Sequence, residues 1–325
     1  CVNPLSNTNP TVAGGLVVNN GKIEYAVMKD EYRDGLRYMH KLFEEGLLDN
    51  QTFLQDNTQF SATMDASEGN KVAVYANGGV ENSEFWQQVD GEWQNWEILA
   101  PVAGPDGVRY SGRCIQTYFE GCLGVVSSTC KYPEIVVALF DFMASEDAAH
   151  HIGGGPEGIA WKYTDEGVSL SGGTPAYEQI TVPEDFDYVK EGGLPKAYAN
   201  YRYTPDAMIQ RGSAEYRGGL KIEDPSHSTE YWFQQCAELY SQYAPDVDTL
   251  VPNLSFEGED ARIVTEGTLT IGGYVNQALV QFIDGSLDIE KDWDAYIEKL
   301  KSMGVDEYVA AYQRTYDAYM EAQGK

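Results

Sequence analysis

Apolar positions near the end of the chain recur at helical spacing. Trp293, Tyr296, Ile297, Leu300 and Met303 follow one another at intervals of three, one, three and three, and Gly304 stops the pattern. Val309, Tyr312, Tyr316, Tyr319 and Met320 form a second stripe. These spacings predict two amphipathic helices, capped by Asp288 and Asp306, that dock onto a larger body. A long helix is expected before them, from Glu259 to Asp284, broken or kinked near Gly272 and Gly273.

Toward the start, Gly21 to Ala26 reads as a short strand. A helix follows, with Asp30 as cap, Leu36, Met39, Leu42 and Phe43 on one face, and Gly46 as stop. Lys71 to Tyr75 and Leu123 to Ser127 are compact apolar runs of the kind that make buried strands. The first leads into a turn at Asn77-Gly78-Gly79. The second leads to Pro133, which suits the first turn of a helix whose apolar side is Val136, Val137, Leu139, Phe140 and Met143. From Ser169 to Asp224 the periodicity fades amid Gly, Pro and Tyr, and long irregular stretches of this kind often carry function. Ser228 to Tyr243 reads as another helix.

A chain of 325 residues with 42% hydrophobic content can bury a core and holds two domains or one large one. No stretch approaches the roughly 18 apolar residues of a membrane helix. The start lacks a basic-then-apolar secretory segment, so either the chain is cytosolic or a signal has been removed. Its charge of -29, from 51 acids against 22 bases, repels phosphate backbones and anionic bilayers, whereas a neutral sugar is indifferent to it. Nucleic acid is therefore not expected as a partner. Five cysteines without a C-x-x-C argue against a disulfide framework or a structural zinc; a pair among Cys114, Cys122 and Cys130 stays open.

Enzyme motifs are scarce. Gly153, Gly155 and Gly158 satisfy G-x-G-x-x-G, but they follow a helix instead of leaving a strand, so a glycine-rich turn is expected. His150 and His151 are adjacent, and neighbours on a helix point about 100° apart, which suits a surface role better than one shared metal ion. No cofactor is expected. A pair of acids among Glu157, Asp165 and Glu166 keeps open a polysaccharide-degrading enzyme. Aromatics are the better clue, because sugar rings stack their C–H faces on Trp or Tyr while their hydroxyls need polar partners at the rim. Trp86, Trp93, Trp96, Tyr118, Trp161, Tyr163, Tyr201 and Tyr203 lie beside Gly or polar residues, whereas Trp232 and Trp293 fall in helical stripes and are assigned to packing.

The closing pattern, F-I-D-G-S-L-x-x-x-x-D-W-D-x-Y-x-x-x-L-K-x-x-G-V-D-E-Y-x-x-x-Y-Q-x-x-Y-D, resembles the end of the extracellular solute-binding lipoproteins that serve bacterial ABC importers of oligosaccharides. Asn20 to Asp49, the segment from Gly69 to Trp86, and Gly155-Pro156-Glu157-Gly158 with Ile159 to Tyr163 are similar to that family's interior. Cys1 is accordingly not read as a lipidated N-terminus, and part of the family's N-terminal region has no counterpart.

The resemblance implies an α/β, two-lobed, helix-rich architecture of the type II periplasmic-binding-protein kind. Residues 1–100 would form part of one lobe, 101–165 the crossover and the strand and helix of the other, and 166–325 an irregular segment plus helices returning to the first. It also implies a monomeric, lipid-anchored extracellular receptor that closes on an oligosaccharide and is read by ABC permease subunits, with no catalysis. Trp86 and Trp161 follow the two Gly-rich turns and are the first ligand candidates. Asn77, Arg113, Tyr118, Glu157, Trp96 and Tyr203 accompany them. A carbohydrate-binding surface protein outside transport is the third reading.

Overall fold

A computed structural model describes residues 15–64, 72–74, 96–111, 125–143, 145, 157–181, 218–223 and 229–324. The chain divides into two compact units, one of Cys1–Tyr75, Leu99–Glu120 and Glu238–Lys325, the other of Ala76–Ile98 and Gly121–Ala237.

In the first unit, β1 (Leu16–Asn19) and β2 (Lys22–Tyr25) pair antiparallel, Leu16 opposite Tyr25. Asn20 at φ 50 and Gly21 at φ 79 make the tight turn between them, a conformation that suits Asn-Gly. Alternation then puts Leu16, Val18, Ile23 and Tyr25 into the core. Helix α1 (Asp30–Glu44) follows, with Leu36 buried and Met39 and Phe43 packed against the same core. Asp30 is its first residue, not its cap; Lys29 holds the cap position, and Asp30 meets the positive end of the helix dipole instead. Gly46, at φ 70, ends the segment as expected. Helix α2 (Asn57–Met64) comes next.

Helix α5 (Gly258–Asp284) is the axis of this unit and runs unbroken through the Gly272-Gly273 pair. Each Gly costs a helix about 1 kcal/mol relative to Ala. The buried stripe of Gly267, Ile271, Val275, Ala278, Leu279, Phe282 and Ile283 spans the pair, and its packing outweighs that cost. Helices α6 (Trp293–Ser302) and α7 (Val305–Ala322) cover it.

Phe282 meets Tyr296 edge-on at 5.5 Å, and Trp293 lies 5.2 Å from Tyr296. Tyr296 donates a hydrogen bond to the carbonyl of Val27 at 3.3 Å, and burial pushes its phenol well above the usual range. The predicted caps shift here. Asp288 accepts from the backbone of Glu290 and Lys291 and so caps the turn before α6, whose cap is Asp292. Gly304 at φ 86 both stops α6 and starts α7, which places Asp306 in the first turn. The buried face of α7 is Val305, Tyr308, Ala311, Tyr312 and Tyr316, whereas Tyr319 is 36% exposed.

Val72 to Val74 form no strand, and Val74 is 66% exposed; Lys71 and Tyr75 lie outside the described residues. Val125 to Ser127 in the second unit are likewise irregular, with Val125 85% exposed. An apolar run becomes a strand only when a neighbour takes up its N–H and C=O groups, and no described strand pairs with either run. Among its described residues the second unit holds α3 (Pro133–Met143), which starts at Pro133 as expected, and four short strands. β3 (Trp161–Tyr163) pairs with β5 (Tyr177–Gln179), and β4 (Val168–Ser169) with β6 (Lys221–Ile222), both antiparallel. So part of the stretch expected to be irregular carries strands. Helix α4 (Thr229–Ser241) completes the order. Among the described residues no helix is long and apolar enough to cross a membrane.

Gly267 tests the axis. A Cβ built there would overlap Cδ2 of Tyr308, whose hydroxyl also lies 3.3 Å from Thr268 Oγ1. Gly267→Ala is expected to destabilise the first unit by about 1–3 kcal/mol through overpacking, although Ala favours helix. Denaturant unfolding checks this, and a stabilised variant would mean that Tyr308 moves aside freely.

Candidate functional site

The candidate site is built on β3 of the second unit. Gly158 takes φ 77 and donates from its N–H to the carbonyl of Trp161 at 2.6 Å, closing a tight turn that presents Glu157 to solvent. Strand β3 leaves this turn with Trp161 opposite Gln179, Lys162 opposite Glu178 and Tyr163 opposite Tyr177. The turn opens a strand and not a helix, so it lacks the geometry of a dinucleotide fingerprint.

Trp161 and Tyr163 share one face of β3 by the period of two, yet their surroundings differ. Trp161 is 1% exposed, enclosed with Ala160, Tyr177 and Leu220. Tyr163 is 52% exposed and stands edge-on to Trp161 at 5.0 Å and 85°. The strand runs out of its own small core within three residues. Sequence reasoning placed a ligand-stacking ring at Trp161; the structure gives the interior to that ring and the open face to Tyr163. A stacked sugar needs a free ring face, which Trp161 lacks here.

The opposite face of β3 is held by charge. Glu178 accepts from Lys162 at 2.7 Å and from Lys221 at 2.6 Å, so one carboxylate ties β3, β5 and β6 together. Lys162 first and Lys221 second hold the Glu178 carboxyl below the usual carboxylate range, and Glu178 in turn raises Lys221. Behind the strands, buried Ser169 takes the N–H of Gly173 at 3.1 Å and meets Ser171 at 2.9 Å, and Ser171 donates to the carbonyl of Gly218 at 3.1 Å. Neither this clamp nor the serine chain was named from sequence. Only the strand pairing brings residues so distant along the chain together.

Of the other sequence candidates, Trp96 is half-buried in the irregular stretch 96–98 of the same unit. Trp86, Asn77, Arg113, Tyr118 and Tyr203 lie outside the described residues, as do Trp93 and Tyr201. Asp165 and Glu166 are exposed on the loop after β3, as Glu157 is before it. Among the described residues no group of three or more His, Cys, Asp or Glu is placed to hold a metal ion.

This arrangement of helices and paired strands is the fold of the extracellular solute-binding proteins. No family model matches the chain. The fructooligosaccharide ABC transporter substrate-binding protein FusA of Streptococcus pneumoniae serotype 4 is 22% identical over 307 residues, covering 94% of this chain and 52% of FusA. A structure of an S. pneumoniae FusA EF-hand mutant in complex with fructo-nystose superposes at a TM-score of 0.60 and 19% identity, over 98% of this chain and 61% of that one. An extracellular solute-binding protein of Bifidobacterium longum subsp. infantis gives 0.65 at 20% identity, over 94% and 57%. The human-milk-oligosaccharide (HMO) binding, ABC-transporter-associated solute-binding protein of B. longum infantis gives 0.60 at 20% identity, over 94% and 57%. The chain thus spans about half the length of the curated relative it matches.

Two outcomes follow from this geometry. Trp161→Ala should cost about 3–5 kcal/mol in the second unit, as for other buried Trp truncations, read by denaturant unfolding. Glu178 has a depressed folded pKa, so its contribution is full above the unfolded carboxylate pKa and is lost as pH falls through the lower folded value. Wild type should therefore lose more thermal stability than Glu178→Gln between about pH 5 and about pH 2, with the two converging at the acid end. Parallel melting curves would contradict the clamp.

Proposed function

We propose that the protein is the substrate-binding component of an ABC importer for oligosaccharides and carries out no catalysis. The likeness to FusA over 307 residues carries this reading, because it runs through nearly the whole chain and not through one motif. Exposed Tyr163 at the end of β3 supports it, because a partly exposed aromatic ring offers apolar surface to sugar C–H groups. Trp161 backs Tyr163 from within, and Trp86, Trp96, Asn77, Arg113, Tyr118 and Tyr203 complete the ligand set.

The protein acts outside the cell as a monomer, held at the surface by a lipid anchor in its full-length form. Ligand binding favours a closed state that the permease subunits recognise. The charge of -29 leaves a neutral glycan unhindered.

Calorimetric titration with kestose, longer fructans and human milk oligosaccharides tests this. At least one class should bind, with no reducing ends released, and Tyr163→Ala should weaken that binding by about tenfold, near 1.4 kcal/mol, while melting as wild type does. Silence across the panel from both this chain and a version as long as FusA would refute the receptor reading. Release of reducing ends, lost in Glu157→Gln, would favour the hydrolase.

A further inference from the structure

The C-terminal ends of α1 and α5 meet in the first unit. His40, near the end of α1, donates from Nδ1 to the carbonyl of Ile283 at 2.9 Å, and its ring sits so close to Gly285 that a Cβ built there would come within 3.1 Å of Cε1. This contact pins the two helix ends together and leaves Nε2 as an acceptor in the neutral ring. Beside it opens a cavity of about 650 Å³, lined by His40, by the apolar side chains of Phe43 and Leu48, and by Glu44, Asp49 and Asp284. A volume of that order holds a small organic molecule.

Neither Lys nor Arg is among the lining residues, so the wall carries three carboxylates and no fixed positive charge. Two helix C-termini add their partial negative charge to it. Such ends often carry a base in the last turn; α5 has none, and Lys41 of α1 is turned to Glu45 at 3.8 Å. An anion is therefore repelled. A metal ion needs donors that converge, and among the described residues no group of three or more does so. A neutral molecule would cover the carboxylates without compensating their charge. A bulky cation satisfies the volume, the charge and the apolar part of the wall together.

We propose that this cavity is a second ligand site, for an organic ammonium ion with an apolar body. The ammonium group donates to Glu44, Asp49 and Asp284 while the body covers Phe43 and Leu48. The site belongs to the first unit, goes beyond the sugar reading, and stands or falls without it.

Benzylammonium chloride is the probe and imidazole proton NMR the readout, because the chain has four histidines and only His40 lines the cavity. His40→Gln assigns the His40 signal by its loss. At fixed pH and physiological salt, the probe should move that signal saturably, half-way at about 1 mM, and leave the other histidines in place. Benzyl alcohol, without the charge, and methylammonium, without the ring, should each bind about tenfold more weakly. Asp284→Asn and Glu44→Gln keep the side-chain shape and should each weaken benzylammonium about fivefold with unchanged melting. Glu321→Gln, which removes the same charge from α7, should leave binding as it is. A shift of every histidine without saturation, or an equal loss in Glu321→Gln, would reveal only the general field of the acidic chain and overturn the proposal. An unmoved His40 signal, or equal binding of benzyl alcohol, would overturn it too. If the two cavity variants unfold, the three probes on wild type still decide.

Discussion

The first unit depends on the docking of α5 against α1 and the two closing helices, with the β1–β2 pair packed on α7. Phe282 and Ile283 on α5, Trp293 and Tyr296 on α6, and Tyr308 and Tyr312 on α7 exclude water along one seam. Each buried aromatic is worth about 2 kcal/mol or more from area alone. The Tyr296 hydroxyl fixes the register by reaching the Val27 carbonyl, which ties the C-terminal helices to the first hairpin. Gly267 is the geometric condition for this seam, because Tyr308 occupies the space that any side chain would take.

Charge adds specificity at the rim of the same seam. Arg33 lies over the Trp293 ring at 5.5 Å and pairs with Glu290, which Arg37 also holds at 2.6 Å. Exposed pairs of this kind contribute little individually, so their role is to orient α1 against the turn before α6. Among the described residues of the second unit, the buried cluster is the small one around Trp161, beside the Glu178 clamp. The described strands are short, and exposed Tyr163 emerges where the cluster ends. A strand that presents a half-exposed ring suits reversible recognition of a sugar face.

How much of this was legible in the sequence follows from the range of the forces. The closing helices were readable because their stripes are local and amphipathic, so burial of Trp293, Tyr296 and Leu300 could be read from spacing. Their caps were read one turn astray, because glycine in the left-handed conformation at Gly304 does the stopping and the starting together. The runs at Val72 and Val125 looked like buried strands, but strand identity is decided by a partner that local sequence does not reveal, and no described strand supplies one. The site divided in the same way. Glu157 and an aromatic on β3 were visible as types beside glycine, whereas the choice between Trp161 and Tyr163 depended on Tyr177 and Leu220, which arrive from distant segments.

The proposal that sugar is recognised on the β3 face of the second unit is tested most directly by hydrogen exchange with and without a bound fructan. The account predicts that ligand slows exchange in residues 157–165 and leaves the buried stripes of α5, α6 and α7 unchanged. Binding with no slowing in 157–165, or with slowing confined to the C-terminal helices, would contradict it.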